Sequence, residues 1–364
     1  MDRYEGLARP FKPDWEALVA TIRRQGTPRR VHHIELFQDS EISDAIAERF
    51  DLLTGLAAND TEYARKKRLA IQRFCGFDYV KVSVNLEMPV FQQAIPDTAA
   101  LRRPAGRRFQ DEHHGPIQSW TEFETYPWPD PAAPELTREL EWYQAHTPDD
   151  MCLIAQGGFG HLCEHLTWLM GTEHFCYALY DQRDLVQALA ARLLAQDLVV
   201  MQRILEFDRV KLTWASDDMG YKTGVLFAPA DLRAFVLEGH RQLAALSHAS
   251  GRPYLLHSCG NLAEIMNDLT DLVQIDGKHS FEDTIEDVRA IKSTYGKKIA
   301  LLGGLDVDFL CRADEQTIRQ RVRDTLDVCQ PGGGYCLGTG NTVANYIPVD
   351  NYLAMLDEGR LYGA

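Results

Sequence analysis

The chain has 364 residues, of which 45% are hydrophobic and 25% are charged, a composition typical of a globular protein with a large apolar core. Its formal net charge of -15 at pH 7 argues against nucleic acid or an anionic membrane as the main partner, because both repel an acidic surface. No apolar run approaches the ~18 residues of a membrane span, and the first residues lack the segment order of a signal peptide. The eight cysteines are scattered in a way that is typical of reduced thiols, so we expect a cytoplasmic protein.

The predicted elements alternate between strands and helices. After a helix over residues 14–25, strands are predicted over residues 31–37 and 79–84, with two helices between them. From residue 151 onward, further apolar runs are each followed by a helical pattern, at residues 151–156, 210–215, 254–256, 272–275, 299–302 and 334–337. Eight strands that alternate with helices predict an α/β fold of the (β/α)8 TIM-barrel type. A doubly wound open sheet is the runner-up, disfavoured because no Gly-x-Gly-x-x-Gly motif opens a helix after the first strand.

Residues 85–150 interrupt this alternation. The segment is rich in proline, which disfavours long helices and predicts an irregular insertion. An insertion of this length is uncommon inside a compact domain unless it covers a site. We therefore expect a single domain over residues 1–364, with residues 85–150 as an insertion that covers its active site.

Polar residues follow the predicted strands, at the end of the barrel where active sites lie. Any one of them is as easily explained as a turn residue, because Asp and Asn suit turns well. The residues at these positions that could bind or act on a substrate are Glu35, Trp214, Asp217, Asp218, Asp276, Lys278, His279 and Asn341.

His257 and Cys259 come at the end of the fifth predicted strand. Strand residues two apart point to the same side, so this imidazole and thiol project together. Such a pair is half of a soft-metal site, or two groups of an acid–base site. A buried cysteine beside a histidine that binds a backbone carbonyl explains the same pattern, since two ligands do not define a zinc site.

Several motifs together resemble the uroporphyrinogen decarboxylase superfamily. They are His-Ser-Cys-Gly-Asn at 257–261, Asp-Asp-Met-Gly at 217–220, Gly-Gly-Leu-Asp at 303–306, and the end of the chain from Gly-Thr-Gly-Asn at 338–341 to Met355. This superfamily includes porphyrinogen decarboxylases, zinc-dependent corrinoid methyltransferases and, more distantly, cobalamin-independent methionine synthase, and the resemblance implies a TIM-type barrel. The family decarboxylases hold their polycarboxylate substrate with an arginine-rich first strand, whereas this chain has Glu35 there and no arginine between Arg30 and Arg49. The resemblance therefore favours the methyltransferase branch.

In that branch a His-x-Cys pair and a distant cysteine bind zinc. The resemblance thus implies His257 and Cys259 as ligands, with Cys336 as the third. The family's cysteine aligns nearer Thr339, however, and Cys336 is equally well explained as a thiol packed in the core. Alternatives for the third ligand are Glu35, Asp218, Asp276 and His279, and a site without zinc also remains open.

The implied activity is transfer of a methyl group between a small O-, N- or S-methylated compound and a corrinoid protein or a thiol, assisted by zinc. Asp217, Asp218 and His279 are expected as catalytic groups. The expected substrate contacts are Glu35, Trp214, Asp276, Lys278 and Asn341. A metal-free decarboxylase-like lyase and a non-catalytic barrel that binds a corrinoid or methyl carrier remain open, as do a corrinoid partner protein and a homodimer.

Overall fold

A parallel sheet of eight strands forms the centre of the fold in this computed structural model, which describes residues 3–363. The strands of the chain are β1 (His32–His33), β2 (Tyr79–Ser83), β3 (Gln92–Ile95), β4 (Arg107–Gln110), β5 (Cys152–Gln156), β6 (Val210–Ser216), β7 (Gly220–Tyr221), β8 (Gly224–Val225), β9 (Tyr254–His257), β10 (Gly277–His279), β11 (Ala300–Leu302) and β12 (Tyr335–Leu337). The large sheet has the spatial order β1-β12-β11-β10-β9-β6-β5-β2, while β3–β4 and β7–β8 are separate antiparallel pairs.

Side chains join the two outer strands of this sheet. The backbone N–H of Glu35 donates to the Tyr79 hydroxyl at 3.0 Å, and His32 Nδ1 lies 2.6 Å from an Asp78 carboxylate oxygen. These contacts bring the start of β2 beside β1, so that the curled sheet closes with helices outside it. The predicted (β/α)8 fold of the TIM type is confirmed.

Helices fill the connections between the strands. They are α1 (Glu5–Ala8), α2 (Trp15–Ile22), α3 (Ser40–Arg49), α4 (Tyr63–Cys75), α5 (Trp120–Thr125), α6 (Arg138–His146), α7 (Leu162–Met170), α8 (Thr172–Asp181), α9 (Arg183–Leu205), α10 (Pro229–Leu232), α11 (Glu238–Ala249), α12 (Val288–Tyr295), α13 (Val307–Arg312), α14 (Glu315–Cys329) and α15 (Val349–Tyr362). Side-chain caps fix several of the helix starts. Asp14, for example, accepts a hydrogen bond from Ala17 N, as the sequence predicts for α2. No helix within residues 3–363 is both long enough and apolar enough to span a bilayer.

The sixth barrel strand lies further along the chain than predicted. Residues 272–275 do not form a strand, since Asp268–Val273 is a π-helical turn and the strand is β10. Three of these four residues are apolar, and so short a run fits a strand and a buried helical turn equally well. Periodicity therefore could not separate the two. As a result Asp276 precedes its strand and lies at the amino end of the barrel, where it accepts a hydrogen bond from Tyr254 N, at the start of β9. This position corrects the expectation that Asp276 contacts the substrate.

The segment 85–150 contains the β3–β4 hairpin, α5, a 3₁₀ turn over Pro134–Thr137, and α6. Its arginines bind residues that follow barrel strands: Arg103 pairs with Asp39 at 3.0 Å, and Arg107 pairs with the other oxygen of Asp39 at 3.1 Å and hydrogen-bonds Asn345. These contacts attach the hairpin at the carboxyl ends of β1 and β12.

Candidate metal centre and active site

Two adjacent strands carry the central side chains of the site. β6 and β9 pair in parallel with Ser216 opposite His257, and the backbone N–H of Asp217 extends the ladder by donating to the His257 carbonyl at 2.9 Å. Asp218 lies two residues beyond Ser216, and Cys259 lies two residues beyond His257. Both strands end at the carboxyl edge of the barrel, so their terminal side chains meet there.

Asp218, His257 and Cys259 form one cluster, in which one ligand atom of each lies within 4.8 Å of the others. His257 Nε2 is 3.3 Å from Cys259 Sγ and 3.5 Å from Asp218 Oδ1. The backbone N–H of Cys259 donates to the same Asp218 oxygen at 2.8 Å, and the Asn341 amide donates to Cys259 Sγ at 3.2 Å. The structure thus brings together four of the residues that the sequence analysis selected.

Hydrogen bonds behind the cluster determine which nitrogen of His257 faces it. The Thr339 carbonyl can only accept, so His279 Nε2, at 3.1 Å, donates to it. Burial lowers the pKa of His279 well below its usual value, and the nearby His257 charge lowers it further, so the ring is neutral and its Nδ1 is an acceptor. His257 Nδ1, at 2.7 Å, therefore donates to His279 Nδ1. Nε2 is left as the atom of His257 that can bind a ligand in the cluster.

The cluster concentrates electron-rich atoms. Burial raises the pKa of the Cys259 thiol far above its usual value, and the Asp218 charge raises it further. Burial also acts to raise the pKa of Asp218, but the hydrogen bond and charge of His257, together with the Cys259 N–H, outweigh it and lower that pKa to about 2. Three electron-rich atoms face one another here: an imidazole nitrogen, a sulfur and a carboxylate oxygen. Their lone pairs repel unless a proton or a cation lies between them. This set of nitrogen, sulfur and oxygen donors fits Zn²⁺ with one position open.

Asp217, the neighbour of Asp218, faces away from the cluster. Its side chain is fully buried and accepts hydrogen bonds from Cys163 N and Glu164 N, both at 2.9 Å, and from His240 Nε2 at 2.8 Å. These bonds fix the first turn of α7 to the end of β6. The position of Asp217 corrects its expected catalytic role to a structural one.

Two other predicted residues lie inside the barrel beneath the cluster. His279 is fully buried behind His257, so it positions that ring and does not reach a substrate. Trp214 is also fully buried, with its ring edge-on to His279 at a centroid distance of 5.6 Å and Lys81 Nζ 4.2 Å from its centre. Neither side chain forms a wall of the open site, which corrects both expectations.

Glu35 and Lys278 are buried as well. Glu35 accepts hydrogen bonds from both the backbone N–H and the hydroxyl of Thr339, at 3.0 and 2.5 Å, and burial raises its pKa to about 8. Lys278 donates to the Ser280 carbonyl at 2.7 Å and lies 3.8 Å from Glu286. Both groups are occupied by protein partners, so the structure does not present them as substrate contacts.

Cys336 lies outside the metal cluster. It is in the middle of β12, paired with His32 and Leu302, and is fully buried in the barrel wall. Thr339 follows three residues later at the carboxyl end, where the resemblance places the family's cysteine. The third donor atom of the cluster is therefore an Asp218 oxygen, and the expectation that Cys336 joins His257 and Cys259 is corrected.

Sequence reasoning missed a second polar group at the start of α7, formed by His161 just before the helix and Glu164 in its first turn. His161 Nδ1 lies 2.8 Å from Glu164 Oε2, and burial together with the nearby aspartates raises the pKa of Glu164 to about 7 even though His161 opposes this shift. The available signal was the spacing of His161, His165 and Trp168 along one helix face. That spacing is equally typical of a helix packed against a core.

Comparison with known proteins gives a family and a fold. The sequence model described as uroporphyrinogen decarboxylase (URO-D) matches residues 162–362, which is more than half of the chain. A methyltransferase from Methanosarcina mazei has a similar structure, with a TM-score of 0.71, 16% sequence identity, and coverage of 98% of this chain and 100% of that one. At this identity the likeness establishes the fold alone. No curated protein sequence matches the chain significantly.

A second solved structure is less similar. It is described as a vitamin-B12-independent methionine synthase from Listeria monocytogenes, with a TM-score of 0.46 and 13% identity, and the match covers 92% of this chain and 95% of that one. A TM-score this low supports no structural inference.

Proposed function

Because the chain belongs to the uroporphyrinogen decarboxylase (URO-D) family, we propose that it is a methyltransferase of that family's zinc-dependent type. It would move a methyl group between a small O-, N- or S-methylated compound and a corrinoid protein or thiol. The observation that supports this most strongly is the cluster of Asp218, His257 and Cys259, whose ligand atoms lie within 4.8 Å of one another at the carboxyl end of the barrel. A barrel that binds such compounds without reacting has no need for these converging donors.

The proposal gives each residue of the cluster a distinct role. His257 Nε2, Cys259 Sγ and an Asp218 oxygen would hold the metal, and Asn341 would fix the sulfur through its amide. When bound, zinc would supply a Lewis acid for the heteroatom that carries the methyl group, or would lower the pKa of an attacking thiol. His279 orients His257 from behind.

The arrangement disfavours the alternative of a metal-free decarboxylase-like lyase. In such a reaction Asp217 or Asp218 would act with His257 as an acid–base pair. Asp217 is fully buried with its oxygens occupied by Cys163 N, Glu164 N and His240. Asp218 does face His257, but both share the cluster with the Cys259 thiol. A metal-free acid–base pair does not require this third donor.

We also propose that residues 85–150 belong to the same domain and cover its site. Arg103 and Arg107 anchor the β3–β4 hairpin to Asp39 after β1. The first residues of the segment, 85–90, line a cavity together with Gly157 and Gly158 after β5. Both groups of contacts are at the carboxyl end of the barrel.

Metal content and methyl transfer together test the proposed function. Protein purified without chelator is expected to contain one zinc per chain by elemental analysis, and His257→Ala and Cys259→Ser are each expected to lose it with an unchanged circular dichroism spectrum. Cys176→Ser, which alters an exposed thiol on α8, serves as the control and should keep the metal. Transfer of a methyl group to added cob(I)alamin would be followed by absorbance. Metal-free protein, or full metal without methyl transfer from any O-, N- or S-methyl compound in a panel, would contradict the proposal.

A further inference from the structure

A cavity of about 560 Å³ lies between the start of the segment 85–150 and the first turns of α7, and the proposal so far assigns no ligand to it. One wall is the face of α7 and the residue before it, and the opposite wall is the start of the segment 85–150. Its lining includes Asn85, Glu87, Gly158, His161, His165 and Trp168. This volume accommodates a small organic molecule.

The α7 wall is built from flat rings. His161, His165 and Trp168 are four and three residues apart, so they share one helix face. The His161 and His165 ring centroids are 5.5 Å apart, and those of His165 and Trp168 are 5.3 Å apart. His165 is 8% exposed, and its Nδ1 has no hydrogen-bond partner among the described residues. A wall of rings with an unsatisfied imidazole nitrogen suits a planar ligand that carries a polar atom.

His161 and Glu164 form a pair that can hold a proton at the edge of this cavity. A carboxylate accepts, so His161 Nδ1 donates to Glu164 at 2.8 Å. Burial lowers the pKa of His161, but the hydrogen bond to Glu164 and its charge outweigh burial and raise that pKa above its usual value. His161 Nε2 makes no hydrogen bond to another residue within the range 3–363, and the ring lines the cavity. The free N–H of a protonated His161 is therefore available to a ligand.

The pair is also close to the metal cluster. The Glu164 backbone N–H donates to Asp217 at 2.9 Å, and the next residue along the chain, Asp218, belongs to the cluster. The charge of Asp218 is among the influences that raise the pKa of Glu164, as expected for neighbouring carboxylates. β5, which leads to this side of the cavity, is adjacent to β6, and β6 is adjacent to β9. With neighbouring strands ~5 Å apart, the ends of β5 and β9 are separated by roughly 10 Å, a distance that one small substrate can span.

We propose that this cavity binds a planar methyl ether and that His161 is a catalytic residue that donates a proton to the ether oxygen, with Glu164 as its positioning residue. The inference rests on the proposed function and specifies its substrate class. In the reaction the O–CH₃ bond breaks, and its electron pair stays on the oxygen, which takes the proton from His161 Nε2. The methyl group passes to a nucleophile of the corrinoid or thiolate class, which supplies the electron pair of the new bond.

The pair also distinguishes between methylated substrates. A quaternary ammonium compound leaves as a neutral amine and needs no proton, so His161 and Glu164 would be superfluous. An ether leaves as an alkoxide or phenolate, which is basic and gains from a proton donor. An O-methyl substrate is therefore the class that uses both the rings and the proton.

Binding tests the cavity without any methyl transfer. The probes are 4-methoxyphenol and 4-ethylphenol, which have the same shape but differ by the ether oxygen. Wild-type protein is expected to bind 4-methoxyphenol about tenfold more tightly, the effect of one hydrogen bond to a charged donor. His161→Phe, which keeps a ring, should abolish the preference, and Trp168→Ala should weaken both probes. His114→Phe, at an exposed histidine outside the cavity lining, should change nothing. Equal affinity for the two probes in wild-type protein, or a preference unchanged in His161→Phe, would overturn the proposal.

Kinetics test the proton donor. With 4-methoxyphenol, whose leaving phenolate is as basic as that of tyrosine at a pKa of ~10, His161→Phe should lower kcat by a factor of about 100 or more. With 4-nitroanisole, whose leaving phenolate is weakly basic, the loss should be below about tenfold. Glu164→Gln, which keeps an acceptor for Nδ1, should retain more activity than Glu164→Ala at a similar KM. Equal losses on both ethers would overturn the role of His161, whereas selective binding without any methyl transfer would refute the proposed function and leave the binding site in place.

Discussion

Replacing His279 should weaken zinc binding although the residue does not touch the proposed metal position. His279 Nδ1 accepts the hydrogen bond that keeps the proton on His257 Nδ1, and Thr339 holds His279 in the orientation that this requires. In His279→Leu the buried His257 Nδ1–H has no acceptor, and the imidazole can exchange the proton to Nε2, the atom that the metal needs. Loss of the partner of a metal-binding histidine typically costs 10–100-fold in affinity, or about 1.4–2.7 kcal/mol.

The assay is a zinc titration against a competing chelator, with circular dichroism to confirm the fold. His279→Leu should bind zinc about 10–100-fold more weakly than wild-type protein. His279→Gln, which restores an acceptor oxygen, should recover part of the loss. His248→Leu is the matched control, because His248 bonds to Asp276 at the amino end of the barrel. Wild-type zinc affinity in His279→Leu would refute the assignment of Nε2 as the ligand atom.

Three further outcomes are expected. Asp217→Asn should lower the free energy of unfolding in urea by about 2–4 kcal/mol, because the fully buried carboxylate accepts three hydrogen bonds that a neutral amide would weaken. As the control, Asp308→Asn on the surface should change the free energy of unfolding by no more than about 0.5 kcal/mol. Burial raises the pKa of Glu35 to about 8, so between pH values of about 4.5 and about 8 the folded protein keeps a proton on Glu35 that the unfolded chain releases. Stability should therefore fall as the pH rises through this range, and Glu35→Gln should flatten the decline in denaturation curves. An equal slope in both proteins would contradict this role of Glu35. Gly160→Ala should destabilise the fold, because Gly160 has φ +68° and an added Cβ would lie 2.5 Å from Ala215 Cβ; an unchanged urea midpoint would show that the loop relaxes freely.

The barrel could be predicted because buried parallel strands appear in the sequence as short continuous apolar runs. β9 and β11 are such runs, with every residue buried, and each lies within a residue or two of its predicted position. β10 was misplaced because Leu272, Val273 and Ile275 are apolar enough for a strand, although they lie in and just after a π-helical turn that precedes the strand. A displacement of this kind moves a side chain to the opposite end of the barrel, as it did for Asp276.

The two side chains proposed to bind metal were easier to place from the sequence than the groups around them. His257 and Cys259 are two residues apart on one strand end, so their common direction follows from strand geometry alone. The third residue of the cluster depended on which strand lies beside β9, and sequence does not fix that neighbour. Cys336 was a reasonable thiol on the last strand, but its height within the barrel wall follows from the register with β1 and β11.

The two consecutive aspartates link the parts of the site. Asp218 belongs to the cluster, while Asp217 holds the first turn of α7 through Cys163 N and Glu164 N. The position of His161, the proposed proton donor, relative to the cluster is thus set at one point of the backbone. Asp217→Asn should therefore lower kcat for an ether while zinc content stays full, since catalytic groups displaced by about 1 Å can lose about 100-fold in rate. Full zinc and full activity in this variant would show that α7 is positioned by its packing instead.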